Sequence, residues 1–494
     1  MKAYNELLEI NEKIHNLNHL SAIAYWDQEA MMPSGSNDAR SKALAQLGVL
    51  IHEESTSAKI ADLLEVAKDE ELNSKEQTSL FEIKRSYDLQ TILPSKLIKA
   101  KSLAGSKCGH AWREQRKNND WKGFLPNLEE VIKLTREEAN IRASHTGLTP
   151  YDSLLDLYEP GMNSKTLDSI FFDLKSWLPS LINDVVEKQK KQSFMKPAGP
   201  FEIEKQKELG LKVMKHLGFD FARGRIDISS HPFCGGVPED VRITTRYNES
   251  DFIQSLMGTV HETGHARYEQ NLPLDYISLP VGNARSMGIH ESQSLFFEMQ
   301  MGRGRPFLES IHSYILESFG NAEAFNIDNL CKIYNHVNPG YIRVDADEVT
   351  YPAHVMLRYE IEKALINNEL EPKDIPEVWD EKMQSYLGIN TTGNYKDGVM
   401  QDVHWTEGLI GYFPSYTLGA MYAAQQFNTV RKKFPDVNKH IAKGDFTQVF
   451  TWLKENIWQE ASFHSSNDLI KNATGESLNP KYFKEHLINR YLKD

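Results

Sequence analysis

Through the first 190 residues, apolar positions return every three or four residues. LLEINEKIHNLNHLSAIAYW, ARSKALAQLGVLIHEE and LPNLEEVIKLTREEANIRA all follow this rule, which predicts a series of amphipathic, antiparallel helices. MKPAGPF, Met195 to Phe201, breaks the series with two prolines and a glycine, and the preceding EKQKKQ reads as a solvated face. Between Gly218 and Asn248 glycines and prolines accumulate and VRITTRY alternates with period two, so DVRITTRY, Asp240 to Tyr247, is the best strand candidate. Helical spacing then resumes to the C-terminus, interrupted at GRGRP (Gly302 to Pro306), NHVNPGY and LGINTTGNYKDG. The predicted class is mainly α with a small β element, and no internal repeat is visible. A helical N-terminal part (1–195) and a second part (196–494) are expected to form a single domain.

Hydrophobic residues at 40% and charged residues at 25% describe an ordinary folded protein. The net charge of −13 argues against a nucleic-acid surface. Cys108, Cys234 and Cys331 are few, odd in number and far apart, which fits a reducing compartment and neither a disulfide framework nor a thiolate site. No window approaches 18 consecutive apolar residues, and the N-terminal stretch lacks the apolar core of a signal peptide. A cytoplasmic enzyme without membrane contact is the expectation.

The chemistry gathers in MGTVHETGHARYEQ. Ile253, Leu256, Met257, Val260 and Gly264 fall at helical spacing, Ser250 is placed to cap the start, and Asn271 with Pro273 marks the end. His261 and His265 are four apart, so both imidazoles project from one helix face and can share one metal ion. Glu262 stands beside them. Catalytic zinc combines three protein ligands with an exchangeable water, and a neighbouring glutamate takes that water's proton. Chance supplies about 0.08 such patterns in a chain of this composition.

A second segment, NARSMGIHESQSLFFEMQMGRGRP, offers Glu291 as third ligand, on a stripe with Met287, Ser294, Leu295 and Glu298. His290 and Glu298 compete for that role, and an ion pair of Glu291 with Arg285 or Arg303 is the plainer alternative. The strand Asp240 to Tyr247 immediately precedes the motif helix, so its edge is placed to pair with an extended peptide.

HETGH followed by HESQS, IRVDADEVTYPAHVMLRYE and GVMQDVHW resembles the carboxypeptidase Taq family of HExxH metallocarboxypeptidases. WDQEAMMPSG, YDSLLDLYEPG, HPF and GYFPSYTLG extend the resemblance over nearly the whole chain. It implies a large helical, two-lobed body around a deep groove. It implies removal of single residues from peptide C-termini with broad specificity, usually by a homodimer, with one zinc or cobalt ion per chain. On that pattern His261, His265 and Glu291 are the ligands and Glu262 the general base. Arg343 binds the terminal carboxylate through a bidentate fork, with a structural ion pair to Asp345 or Asp347 as the alternative. His404 donates to the substrate carboxylate or the developing oxyanion, with Gln401 and Asp402 orienting it. Tyr412 and Tyr416 are candidate oxyanion donors and His231 a candidate groove residue, with core packing the alternative for His404 and both tyrosines.

Three rivals remain at this level. An oligopeptidase would cut inside short peptides with the same centre. A peptide-binding protein would keep the metal for structure, and a non-haem iron oxygenase would use two His and one carboxylate without needing Glu262.

Overall fold

The periodic segments fold as helices along almost the whole chain, in a computed structural model that describes residues 2–493. Their ends obey local chemistry. Trp121–Thr146 starts where the Asp120 side chain accepts the Gly123 N–H, and it stops at Gly147, whose φ of 75° is the left-handed cap glycine tolerates best. Ser164–Gln189 buries Leu167, Ile170, Leu174, Leu178, Leu181 and Val185, which the three- and four-residue spacing puts on one stripe. One hydrophobic cluster runs from Cys108 to Tyr491, and Val185 and Phe201, on either side of the 195/196 boundary, both belong to it. The first helices hold a separate small core of Ala3, Tyr4, Leu7, Ile60, Leu64, Ala67 and Ile83. Among the described residues, no helix is long and apolar enough to cross a membrane.

The expected β element is a sheet of three strands: β1 (Gly224–Ile228), β2 (Cys234–Val237) and β3 (Asp240–Thr245), in the order β1-β3-β2. β3 is the strand read from the sequence, but it lies in the centre, parallel to β1 and antiparallel to β2. This corrects the expectation of a free edge there, because residues 240–245 already pair on one side or both and the open edges belong to β1 and β2. Alternation reports faces and carries no information about neighbours. β2, with sequence CGGV, lacks the β-branched residues that would announce a strand. Gly236, at φ 98°, makes the tight return to β3: a Cβ there would stand 2.1 Å from the Asp240 carbonyl oxygen. Val241 and Ile243 of β3 pack with Met214, Phe219 and Ala266. Ala266 belongs to the HETGH helix, so the sheet is seated directly on the element that carries the chemistry.

Candidate active site

The motif helix spans Phe252–Glu269. Its cap is Asp251 rather than Ser250: Asp251 Oδ1 accepts the N–H groups of Ile253 at 2.9 Å and Gln254 at 3.3 Å. Ser250 instead donates to Asn248. One turn apart on this helix, His261 Nε2 and His265 Nε2 both point at Glu291 Oε2, at 3.9 and 3.3 Å. Glu291 comes from a second helix, Met287–Leu295, capped by Ser286 at the Ile289 N–H. Glu159, from the YEPG turn, accepts the Gly288 N–H at the same end.

Two glycines permit this convergence. A Cβ on Gly264, inside the motif, would lie 2.5 Å from Gln293 O and 2.7 Å from Ser294 Cα, so only glycine lets the two helices approach this closely. Across the Glu291 helix, Gly419 of Pro414–Lys433 does the same, since its Cβ would meet Glu291 Cγ at 2.7 Å.

The donor atoms of His261, His265 and Glu291 lie within 4.8 Å of one another. Two imidazole nitrogens and one carboxylate oxygen suit a borderline divalent ion such as zinc or cobalt, so the residues fit the metal the family pattern calls for. The charges are matched to it. Burial opposes ionisation of Glu291, yet the two histidines hold its carboxyl down at about 2. His261 is penalised by burial but lifted to about 10 by Glu291 and Glu298, whereas burial takes His265 down to about 4. Glu262 is only 7% exposed and accepts no hydrogen bond among the described residues. Burial raises its carboxyl to about 7 against the pull of His261.

The competing ligands stand behind the first three. Glu298 Oε2 sits 2.9 Å from His261 Nδ1, and its other oxygen accepts from Arg303. It reaches there from a π-helical stretch, Phe296–Gly302, that follows the Glu291 helix. His290 Nδ1 lies 2.6 Å from His265 Nδ1, and its Nε2 lies 2.7 Å from Glu269 Oε1. The alternative ion pairs of Glu291 are not formed, because Arg303 serves Glu298 and Arg285 pairs with Glu82 at 2.7 Å.

Arg343 is buried with a side chain 5% exposed, and its partner is Asp402 rather than Asp345 or Asp347. Nε and Nη2 donate to Asp402 Oδ1 at 3.0 and 2.9 Å, and Nη1 donates to the Tyr351 hydroxyl. A guanidinium has five N–H groups, so about two remain, one on each terminal nitrogen. Arg358 donates to the other oxygen of Asp402, leaving two guanidinium charges against one carboxylate. Asp402 is accordingly held far below its usual range, burial notwithstanding, by Arg358 and Arg343. Rings of Tyr351, Phe413 and Tyr416 surround Arg343 with centroids 5.0 to 5.6 Å from its guanidinium carbon. Burial raises the hydroxyls of Tyr351 and Tyr416, and both feel the charges of Arg343 and Glu291.

His404 Nε2 lies 3.3 Å from the Tyr416 hydroxyl, and its Nδ1 is without a partner, 4.0 Å from Asp402 being too long for a hydrogen bond. Burial, reinforced by Arg343, lowers it to about 4, so it is neutral at pH 7. Tyr412 stacks edge-on against Tyr416 at 5.4 Å and also feels Glu291. Gln401, expected to orient His404, bonds elsewhere. Its Oε1 accepts the Arg343 backbone N–H at 2.7 Å and its Nε2 donates to the Tyr341 and Asp397 carbonyls, so the amide is committed to holding the Arg343 turn. His231 is exposed, with an imidazole that makes no hydrogen bond among the described residues; its carbonyl accepts from Ser229, which pins the HPF loop to Thr244.

Sequence reasoning passed over Tyr351 and Arg358, although they stand seven residues apart on one face of Tyr351–Ile366. It also missed Ser95–Lys117, whose Gly105 and Gly109 approach Glu407 and Thr406 and whose Trp112 donates to the Met400 carbonyl at 2.7 Å. The small residues Gly105, Cys108 and Gly109 at three- and four-residue spacing, one turn before Trp112, were the available signal for that support.

Comparison with known proteins bears on the family and the fold. The family model described as Carboxypeptidase Taq (M32) metallopeptidase matches residues 6–491. Thermostable carboxypeptidase 1 of Thermus thermophilus is 37% identical, over 99% of this chain and 98% of its own length. Carboxypeptidase 1 of Bacillus subtilis is 36% identical, over 98% and 97%. Among solved structures, Trypanosoma cruzi metallocarboxypeptidase 1 superposes with a TM-score of 0.98 at 45% identity, covering 100% of both chains. The Pyrococcus furiosus carboxypeptidase gives 0.95 at 33% identity, covering 100% of this chain and 99% of its own.

Proposed function

The chain belongs to the carboxypeptidase Taq family of metallopeptidases and is a metallocarboxypeptidase by that membership; on this footing we propose that it removes single residues from the C-termini of peptides with broad specificity. His261, His265 and Glu291 hold one divalent ion, zinc first and cobalt second. When bound, the ion polarises the scissile carbonyl and acidifies a water beside it.

Glu262, buried and with a carboxyl raised to about 7, takes the proton of the attacking water on its carboxylate and returns it to the departing amine. His404, neutral at pH 7 with a free Nδ1, and the hydroxyls of Tyr416 or Tyr412 hold the oxyanion and the last peptide unit. Gln401 positions Arg343 through its backbone, and His231 stands at the rim of the groove. The three cysteines are unpaired, which fits a cytoplasmic setting, and a homodimer belongs to the same proposal.

The observation that carries the reading is Arg343: a buried guanidinium that shares the carboxylate of Asp402 with Arg358, keeps two unspent donors and is ringed by Tyr351, Phe413 and Tyr416. A chain end with a carboxylate satisfies such a pocket, whereas an amide passing through would leave two buried guanidinium charges sharing the single carboxylate of Asp402. This favours the carboxypeptidase over the oligopeptidase. Glu262→Gln tests the mechanism. It removes the proton carrier while keeping shape and ligands, so zinc content should stay at one per chain while kcat falls at least 10³-fold. A Glu262→Gln protein that turns over like wild type would overturn the assignment.

A further inference from the structure

Both ligand histidines turn Nε2 toward Glu291 and Nδ1 away from it, but their Nδ1 atoms meet different partners. His261 Nδ1 meets Glu298 directly, and Arg303 compensates that carboxylate. His265 Nδ1 meets a second imidazole, His290, whose far nitrogen meets Glu269.

We propose that Glu269 and His290 form with His265 a carboxylate–imidazole–imidazole relay that sets how tightly the centre holds its divalent ion. The inference rests on the metal-centre reading above. It follows from donor counting. A histidine that gives its Nε2 lone pair to a metal carries its proton on Nδ1. At 2.6 Å from His290 Nδ1, that proton has one acceptor, the His290 Nδ1 lone pair. His290 must then carry its own proton on Nε2, where Glu269 Oε1 accepts it at 2.7 Å. Each bond fixes the next tautomer, and a carboxylate two rings away fixes the direction of the whole chain. Among the described residues Glu269 forms no ion pair with a lysine or arginine, so no cation competes with His290 for its carboxylate. Ligand histidines oriented by outer carboxylates bind metal more tightly, with about 10- to 100-fold at stake per partner. His290 and Glu269 are thus positioning residues, and the histidine of HESQS has a role distinct from ligation.

Metal-stripped full-length protein should be titrated with zinc against a competing chelator, for wild type, Glu269→Gln, His290→Ala and the double variant. The melting temperature of each stripped form is read alongside. Gln keeps shape and an accepting oxygen but loses the charge, so Glu269→Gln should weaken zinc binding about 10-fold with an unchanged stripped melting temperature. His290→Ala should weaken it more, up to about 100-fold, and the double variant no further, because Glu269 reaches His265 only through His290. Wild-type affinity in Glu269→Gln, or losses that add in the double variant, would overturn the relay while leaving the metal centre standing. Failure of the wild-type protein to bind zinc would overturn the metal centre and the relay with it.

Discussion

Gly264 is the position where packing and chemistry meet most directly. In Gly264→Ala the new Cβ would stand 2.5 Å from Gln293 O, 2.7 Å from Ser294 Cα and 3.0 Å from Gln293 C. All three are backbone atoms, so no side chain can swing aside, and contacts under 3.0 Å essentially never occur. The Glu291 helix must therefore retreat by at least about 0.5 Å. It is held on its other face by Gly419, already in tight contact with Glu291. Overpacking of this kind costs about 1–3 kcal/mol. The better helix propensity of alanine returns about 1 kcal/mol, so the net loss of stability is small. Metal affinity is the sharper readout, because ligand positions tolerate only about 0.2–0.5 Å. Gly264→Ala should bind zinc about 10- to 100-fold more weakly than wild type, measured by chelator competition. Gly258→Ala is the control: it lies on the same helix with nothing within 4 Å of its Cβ. It should be up to about 1 kcal/mol more stable with unchanged zinc affinity. Wild-type zinc affinity in Gly264→Ala would refute the claim that this glycine sets the position of Glu291.

Arg343→Ala should lower kcat/KM on free-acid peptides and weaken their binding about 10- to 100-fold, and leave the binding of C-terminally amidated peptides little changed, because only the free acid uses the two spare donors. Equal losses on both substrates would count against the anion pocket. Arg343→Lys should fall between the two, since it keeps the charge without the fork. Glu362, fully buried, accepts from Trp405 Nε1 and the Gly411 N–H behind the His404 turn, and burial raises its carboxyl to about 8. Between pH 4.5 and about 8 the folded state retains a proton the unfolded state has released, so stability should fall as pH rises through that window. Glu362→Gln removes this slope. Denaturant titrations at pH 5 and pH 8 should show the variant gaining on wild type at the higher pH, and parallel profiles would contradict the assignment.

The donor set of the centre was legible because the i, i+4 geometry of a helix is fixed by its period, and His261 and His265 need nothing else to share a face. An acid on an apolar stripe fitted Glu291 and Glu298 alike, and the family pattern singled out Glu291. What lay beyond the sequence was the order of neighbours. Alternation found β3, but its central place depends on β1 and on a CGGV segment with no strand signal of its own. Asp402 replaced Asp345 and Asp347 as the partner of Arg343 because a contact across 59 residues leaves no periodic trace. His290 and Glu298, read as rival ligands, meet the Nδ1 atoms of His265 and His261, a placement that depends on ring orientation. Gln401, expected to orient His404, instead accepts the Arg343 backbone N–H, a contact across 58 residues that leaves no periodic trace.

The central claim is that metal and carboxylate recognition act together at one site. Its most direct test is digestion of a single peptide, as free acid and as C-terminal amide, followed by mass spectrometry, with protein stripped of metal and then reloaded with zinc or cobalt. A ladder losing one C-terminal residue at a time, from the free acid only and only after reloading, is the expected result. Internal cuts in both forms of the peptide would contradict it and favour an oligopeptidase built on the same centre.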